Sequence, residues 1–247
     1  MSARSSAKTQ LPAVVDDHPG AAARALSQII ERGARVQAPA VKAYVERLRQ
    51  HDHEATPAEI VGKLEKHYLA AVMASGAAVG SAAAFPGIGT LVALSAVAGE
   101  TVVFLEATAV FSLAVAEVYG IPAEHRERRR ALVLAVLVGE DSKHAVADLI
   151  GPGRTSGAWM SDGAASLPLP AVSQLNSRLL KYFVKRYTLK RGAIAFGKLL
   201  PIGIGAVVGG VGNRMMGRKI IGNARQAYGT PPPRWPSSLH VLPAPRQ

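Results

Sequence analysis

Apolar and polar residues recur with a spacing close to 3.6 along much of the chain, which predicts a protein built from α-helices. In residues 21–50 the spacing is interrupted by Gly33 and Pro39, so we expect two short helices there. Thr56 and Glu59 have the spacing of a capping box. We therefore expect a long helix to begin at residue 57 and to run towards residue 85.

Residues 69–99 contain no charged side chain, and 16 of these 31 positions are Ala or Gly. Such small residues drive insertion into lipid only weakly, but they let helices approach closely. The motif Pro86-Gly87-Ile88-Gly89 divides this zone, because Pro disfavours a helical residue before it and Gly permits a reversal. The pattern predicts a helical hairpin over 57–85 and 90–118, with its turn at an apolar tip and both of its open ends basic.

The next helix is predicted over 123–150, and its apolar run 131–139 is too short to cross a bilayer, so we expect it in the core. A loop is expected over 151–170. The helix predicted over 171–191 is amphipathic, with one apolar face and many cations around it. These cations are Arg178, Lys181, Lys185, Arg186, Lys190 and Arg191.

A second apolar zone, residues 192–213, contains Pro201 and then small residues every four positions. Gly205, Gly209, Asn213 and Gly217 form this stripe, against which another helix can lie. Its order, a helix, a Pro/Gly break and a small-residue helix, resembles the first apolar zone, so we interpret the two as a weak internal repeat.

The chain is thus predicted to be an all-α bundle of about seven helices built around two Pro/Gly-broken apolar hairpins. Residues 1–55 are expected to form a polar lead with short helices, and residues 56–228 the helical domain. Residues 229–247 are Pro-rich and are predicted to be a disordered tail.

Composition adds an expectation about location. The formal net charge is +12, which favours an anionic partner such as a membrane surface or nucleic acid. The chain has no Cys, which excludes disulfides, thiolate catalysis and Cys-type zinc sites. Residues 1–20 have no uninterrupted apolar core, so we expect no secretory signal there and a start in the cytoplasm.

The segment "LLPIGIGAVVGGVGNRMMGRKIIGNARQAY" (199–228) resembles the end of the EcsC family. The matching positions are Pro201, Gly205, Gly209, Gly210, Asn213 and Ala224, with Tyr228 as the final aromatic residue. The segments "GAAVGSAAAFPGIGTLVALSAVAG" and "ERRRALVLAVLVGE" are also similar to this family, in the expected order. The resemblance covers about 57–228, and the N-terminal extension and the Pro-rich tail depart from it.

This resemblance implies an all-helical, membrane-associated bacterial protein with a poorly defined biochemical activity. The family is named after a gene beside those of an ABC transporter, which suggests an accessory role in transport or in an envelope process. It supplies no catalytic residues. The shared Pro, Gly and Asn positions look architectural, since Pro86, Gly87, Gly89 and their counterparts suit turns and close packing.

Several residues are candidates for chemical sites. "HDHE" at 51–54 is too compact for all four side chains to reach one metal ion, and the Gly-rich segments 151–157 and 203–210 lack the ending of a phosphate-binding loop. Glu106 and Glu117 lie about 20° apart around a helix and offer an acid–base pair or cation site, although solvent exposure or pairing with Arg is the favoured interpretation.

The basic helix favours anionic lipid headgroups as its partner over nucleic acid, for which no binding motif is present. We therefore expect a non-catalytic, membrane-associated protein on the cytoplasmic side of the cell membrane, with no cofactor or metal, and with a membrane protein as a further candidate partner. Two alternatives remain at this point. One is a soluble all-α interaction module, and the other is a membrane-surface enzyme that uses Glu106 and Glu117.

Overall fold

Every regular element that the structure describes is an α-helix, which confirms the predicted all-α class. The structure is a computed structural model that describes residues 28, 39–82, 90–121, 125–140, 142, 167–197 and 204–236, with backbone alone at 80–82, 90–98, 184–197 and 204–209. Six helices lie in these ranges: α1 (39–51), α2 (Pro57–Ala82), α3 (Thr90–Val118), α4 (Arg126–Val138), α5 (Leu169–Gly197) and α6 (Ile204–Tyr228).

The predicted capping box does begin α2. The Thr56 backbone N–H donates to the Glu59 carboxylate at 2.7 Å, and the Glu59 N–H donates to Thr56 Oγ1 at 3.3 Å. These bonds satisfy N–H groups that the first helical turn cannot pair internally. The bond from the Thr56 backbone also lowers the pKa of Glu59 below its usual value.

The most extensive contact between described helices joins α2 to α6, at the opposite end of the sequence. A Cβ added at Gly217 would lie 3.0 Å from both Leu69 Cδ1 and Val72 Cγ2, which is closer than ordinary van der Waals contact, so glycine allows this approach without displacing either side chain. Asn213 is buried one turn earlier, and its Nδ2 donates to the Val72 carbonyl at 2.9 Å. Small side chains therefore let α6 lie directly against the backbone of α2.

The two helices run antiparallel, as the order of their contacts shows. Gly210 faces Ala77, Gly217 faces Leu69, and Arg225 pairs with Glu65. Residue numbers thus rise along α6 while those of its α2 partners fall. As a consequence the C-terminal end of α2 and the N-terminal end of α6 lie at the same end of the pair.

Two buried tyrosines attach α3 to this pair. Tyr68 of α2 stacks on Phe111 with ring centroids 4.7 Å apart, and its hydroxyl bonds Thr108 at 2.9 Å. Tyr228 of α6 donates to the Ser112 carbonyl at 3.0 Å. Each buried hydroxyl therefore has a partner, which avoids the desolvation cost of an unpaired polar group.

α4 is the centre of the core, since Ala131–Val138 are all buried. This confirms that the apolar run is core. The predicted helix over 123–150 is not continuous, because α4 ends at Val138. Residue 142 is helical again, and residues 143–150 lie outside the described residues. Gly139 has φ +74°, and the side chain of Asn223 occupies the space that a Cβ at residue 139 would need. Asn223 Nδ2 also donates to the Val136 carbonyl at 2.9 Å, which gives the helix end a partner.

α5 packs on α4 through the predicted apolar face, since Val172, Leu175 and Leu179 are buried. Asn176 on this face donates from Nδ2 to the Glu127 carbonyl oxygen at 3.0 Å and to the Glu127 carboxylate at 2.9 Å. The amphipathic pattern therefore located both the helix and the side that it buries.

The structure differs from the predicted disordered tail over residues 229–236. The Trp235 indole N–H donates to the Ala55 carbonyl at 3.0 Å, and the Arg49 guanidinium lies 4.1 Å from the centre of the Trp235 ring. The Tyr119 hydroxyl donates to the Gly229 carbonyl at 2.7 Å. One aromatic side chain with two partners thus holds a Pro-rich segment against the α1–α2 connection. Residues 237–247 lie outside the described residues.

The close approach of α2 and α6 gives a direct test. Replacing Gly217 by Val should lower the free energy of unfolding by about 1–3 kcal/mol, because the added methyl groups overpack the contact with Leu69 and Val72. The control is Gly212→Val on the exposed side of the same helix, where a Cβ meets nothing within 4 Å. It should change stability by less than about 0.5 kcal/mol. Urea unfolding measures both, and equal effects would contradict the close packing.

Candidate functional site

The residues predicted to form the structural motif are only partly described. Pro86, Gly87, Gly89 and Pro201 lie outside the described residues. Gly205 and Gly209 belong to the backbone of α6, and Asn213 is buried against α2. Asn213 is thus the motif residue whose role the structure defines: it ties α6 to a carbonyl of α2.

One end of the α2–α6 pair is free of charge. Beyond His67, α2 contains no charged residue, and α6 contains none before Arg214. The outward side of α2 there consists of small side chains, which are exposed. They are Ala70, Ala71, Ala74 and Ala78. On α6 the larger Val211 is 52% exposed. This charge-free end is the first candidate functional surface.

One segment among the described helices, Gly99–Val118, is long and apolar enough to cross a membrane, with a mean hydropathy of 1.8. It is 61% buried, however, and it contains Thr108, Phe111 and Ser112, which bind the tyrosines of α2 and α6. A core helix of a soluble protein satisfies the same criteria, so the segment is a weak and non-specific indication of membrane association.

The predicted basic face of α5 is described at two positions. Arg178 and Lys181 are exposed, and Tyr182 beside them is 41% exposed. The side chains of Lys185, Arg186, Lys190 and Arg191 lie outside the described residues. The described part of this face therefore presents cations and one aromatic ring to solvent.

A groove of about 610 Å³ lies between α2, the end of α6 and the segment that follows it. Glu65 and Arg225 form a bidentate ion pair in its wall, with Arg225 Nε donating to Glu65 Oε1 at 2.7 Å. The Glu65 side chain is 11% exposed and that of Arg225 is 68% exposed. The bonds to Glu65 raise the pKa of Arg225. The pair neutralises a carboxylate that would otherwise be buried without a partner.

Tyr119 also lines this groove, and its ring lies 5.4 Å from that of Tyr228. Burial, with a smaller contribution from the nearby Glu65 carboxylate, raises the pKa of Tyr119 to about 12. The remaining lining is mostly small or apolar. The two charged residues among the described lining, Glu65 and Arg225, neutralise each other, so the described wall has no net charge.

The structure does not bring Glu106, Glu117 and the "HDHE" segment together into a site. Glu106 is exposed and Glu117 half-buried on α3, and neither lines the groove. Asp52 of the "HDHE" segment pairs with Lys63 at 2.8 Å, which lowers the pKa of Asp52. No group of three or more His, Asp or Glu residues able to share a metal ion is found in the described ranges.

Sequence reasoning missed the Glu65–Arg225 pair and the groove. The two residues are 160 positions apart, and Glu65 lies in a segment that also contains Lys63 and Lys66. The sequence pattern predicts only a basic end for that segment. A signal is present in the register, because two further steps of four residues from Gly217, the last residue of the α6 stripe, reach Arg225.

Comparison with known proteins adds no assignment, since no family model, no curated protein and no solved structure matches the chain.

The buried tyrosines predict a pH dependence of stability. Burial raises the pKa of Tyr119 to about 12, and it also raises those of Tyr68 and Tyr228. Because each neutral tyrosine has a folded-state pKa above its unfolded value of about 10, its burial contributes to the free energy of unfolding. That contribution is fully present below pH ~10 and is lost as the pH rises through the folded-state pKa. Urea unfolding should therefore give lower stability at about pH 11 than at about pH 8.

Phenolate absorbance provides the residue-level measurement. In the folded protein fewer than all six tyrosines should ionise with a pKa near 10, whereas all six should do so in urea. Ionisation of all six near pH 10 in the folded state would contradict the observed burial.

Proposed function

We propose that the chain is a non-catalytic, membrane-associated helical protein of the EcsC type that binds the cytoplasmic side of the cell membrane. The observation that carries the proposal is the charge-free end of the α2–α6 pair, with exposed Ala residues on α2 and exposed Val211 on α6. An end without charge can enter a lipid phase without the cost of burying an ion.

The dimensions of this end favour insertion into one leaflet. Ile204 and Arg214 are separated by about 15 Å along α6 at 1.5 Å per residue. That matches half of a hydrocarbon core of about 30 Å and is too short to cross it. In α2 the distance from Lys66 to Ala82 is about 24 Å, which is again less than a full crossing.

Two turns that contain Pro and Gly would complete the charge-free end. The proposed hairpins place one turn at Pro86-Gly87-Ile88-Gly89, between α2 and α3, and the other near Pro201, between α5 and α6. Support comes from the Tyr68–Thr108 contact: with residues 68 and 108 side by side, the seven residues between Ala82 and Thr90 reach far enough only if α2 and α3 run antiparallel. The complete bundle of about seven helices is part of this proposal.

The exposed Arg178 and Lys181 of α5 support contact with anionic headgroups, which cationic side chains attract within the reach of the surface potential. Lys185, Arg186, Lys190 and Arg191 are proposed to extend this contact. The accessory role in a transporter or envelope process, with a membrane-protein partner, rests on the EcsC resemblance alone and is an argument by analogy.

A soluble all-α interaction module is the second candidate. It is favoured by the burial of Gly99–Val118, since this apolar segment is 61% buried within the bundle. An enzyme that uses Glu106 and Glu117 has less support, because the structure places neither residue in the groove.

Flotation with vesicles separates the two candidates. We expect the purified full chain to float with vesicles of phosphatidylcholine and phosphatidylglycerol, and the native protein in cells to require high salt or detergent for its release from membranes. Wholly soluble recovery from cells, together with no flotation on any vesicle, would contradict membrane association and leave the soluble module.

A further inference from the structure

The outward face of α6 combines large apolar side chains that are exposed to solvent with exposed arginines. Met215 is 70% exposed and Val211 is 52% exposed, although both are large apolar side chains. Arg214 and Arg218 are exposed on the same helix. Val211 and Met215 are one helical turn apart and therefore adjoin each other, and adjoining exposed apolar side chains flanked by polar ones mark an interaction surface.

Helix geometry places these four residues together. At 100° per residue, Val211, Arg214, Met215 and Arg218 fall within an arc of about 100°. Gly217 and Asn213, which contact α2, lie about 110° and 150° from the centre of this arc. The four residues therefore form one face, the α6 outer face, which points away from α2.

The position of these residues along α6 indicates which ligand binds the α6 outer face. Val211 adjoins the charge-free end, and the two arginines follow within about two turns. If that end enters one leaflet, Arg214 and Arg218 lie at the depth of the phosphate groups and Met215 lies between them, at the boundary with the acyl chains. Arginines extend towards phosphate while apolar side chains enter by 5–10 Å in such interfacial helices, to order of magnitude.

We propose that the α6 outer face is an anionic-phospholipid binding surface, in which Arg214 and Arg218 bind headgroup phosphates and Val211 and Met215 insert at the acyl boundary. This rests on the proposed membrane association and goes beyond it, because it assigns a lipid charge class and a second contact surface besides the basic face of α5. The positive charge of the arginines is attracted by the negative surface potential of acidic lipid, and a neutral bilayer has no such potential.

The test measures binding of the full chain to vesicles of phosphatidylcholine alone and of phosphatidylcholine with about 30% phosphatidylglycerol, a fraction of acidic lipid high enough for a strong surface potential. Each exposed cation near the surface contributes a factor of about five in affinity, so Arg214→Gln/Arg218→Gln should weaken binding to acidic vesicles about 25-fold. The control, Arg47→Gln/Arg234→Gln, removes the same charge from exposed positions on α1 and the C-terminal segment.

A second readout does not depend on charge removal. Because the chain has no Cys, a single Cys at position 215 (Met215→Cys) can carry an environment-sensitive fluorophore. Its emission should shift to shorter wavelength with acidic vesicles, while a label on Ala43→Cys, an exposed position of α1, should shift less. Far-ultraviolet circular dichroism verifies that every variant is folded.

The outcomes separate this inference from the proposed function. Selective loss of binding in the Arg214/Arg218 variant, with a shift at position 215, supports both. Vesicle binding that is the same for both lipid mixtures, or the same for the variant and its control, overturns the inference and leaves membrane association standing. Binding to no vesicle overturns both, and a fluorophore shift caused by self-association without lipid assigns the face to a second copy and overturns the inference.

Discussion

Close contact between α2 and α6 determines how the rest of the structure is arranged. Gly217 allows α6 to approach Leu69 and Val72, and Asn213 binds a backbone carbonyl of α2. This contact joins the two ends of the domain sequence, so the chain closes on itself without a disulfide. The antiparallel direction also gives the pair two chemically different ends.

The difference between these ends connects fold to function. At one end the described parts of α2 and α6 carry only uncharged side chains. At the other, Glu65 pairs with Arg225, Asp52 pairs with Lys63, and Trp235 fixes the segment after α6. This difference in charge between the two ends is the reason that the proposed function assigns a membrane surface to the charge-free end. The buried hydroxyls of Tyr68 and Tyr228 connect α2 and α6 to α3, where each has a specific partner.

Local patterns predicted what depends on local physics. The capping box located the start of α2, and the apolar spacing located the buried face of α5, because helix periodicity and terminal N–H groups act over a few residues. The end of α4 at Gly139 was missed, since it depends on Asn223 from a distant helix. The packed position of residues 229–236 was missed for the same reason: Pro-rich composition predicts an extended chain, whereas its order comes from Trp235 contacting Ala55 and Arg49. The Glu65–Arg225 pair likewise requires the α2–α6 register, which periodicity alone does not specify.

Disulfide cross-linking measures that register directly. A Cβ at Gly210 would lie 3.8 Å from the Ala77 Cβ, which is within the range of about 3.5–4.5 Å that a disulfide spans. In this Cys-free chain, Ala77→Cys/Gly210→Cys should therefore form an intramolecular disulfide under mild oxidation. The matched pair Ala77→Cys/Val211→Cys should not, because Val211 faces away from α2. Failure of the first pair to cross-link, or equal cross-linking of both, would contradict the antiparallel contact on which the account depends.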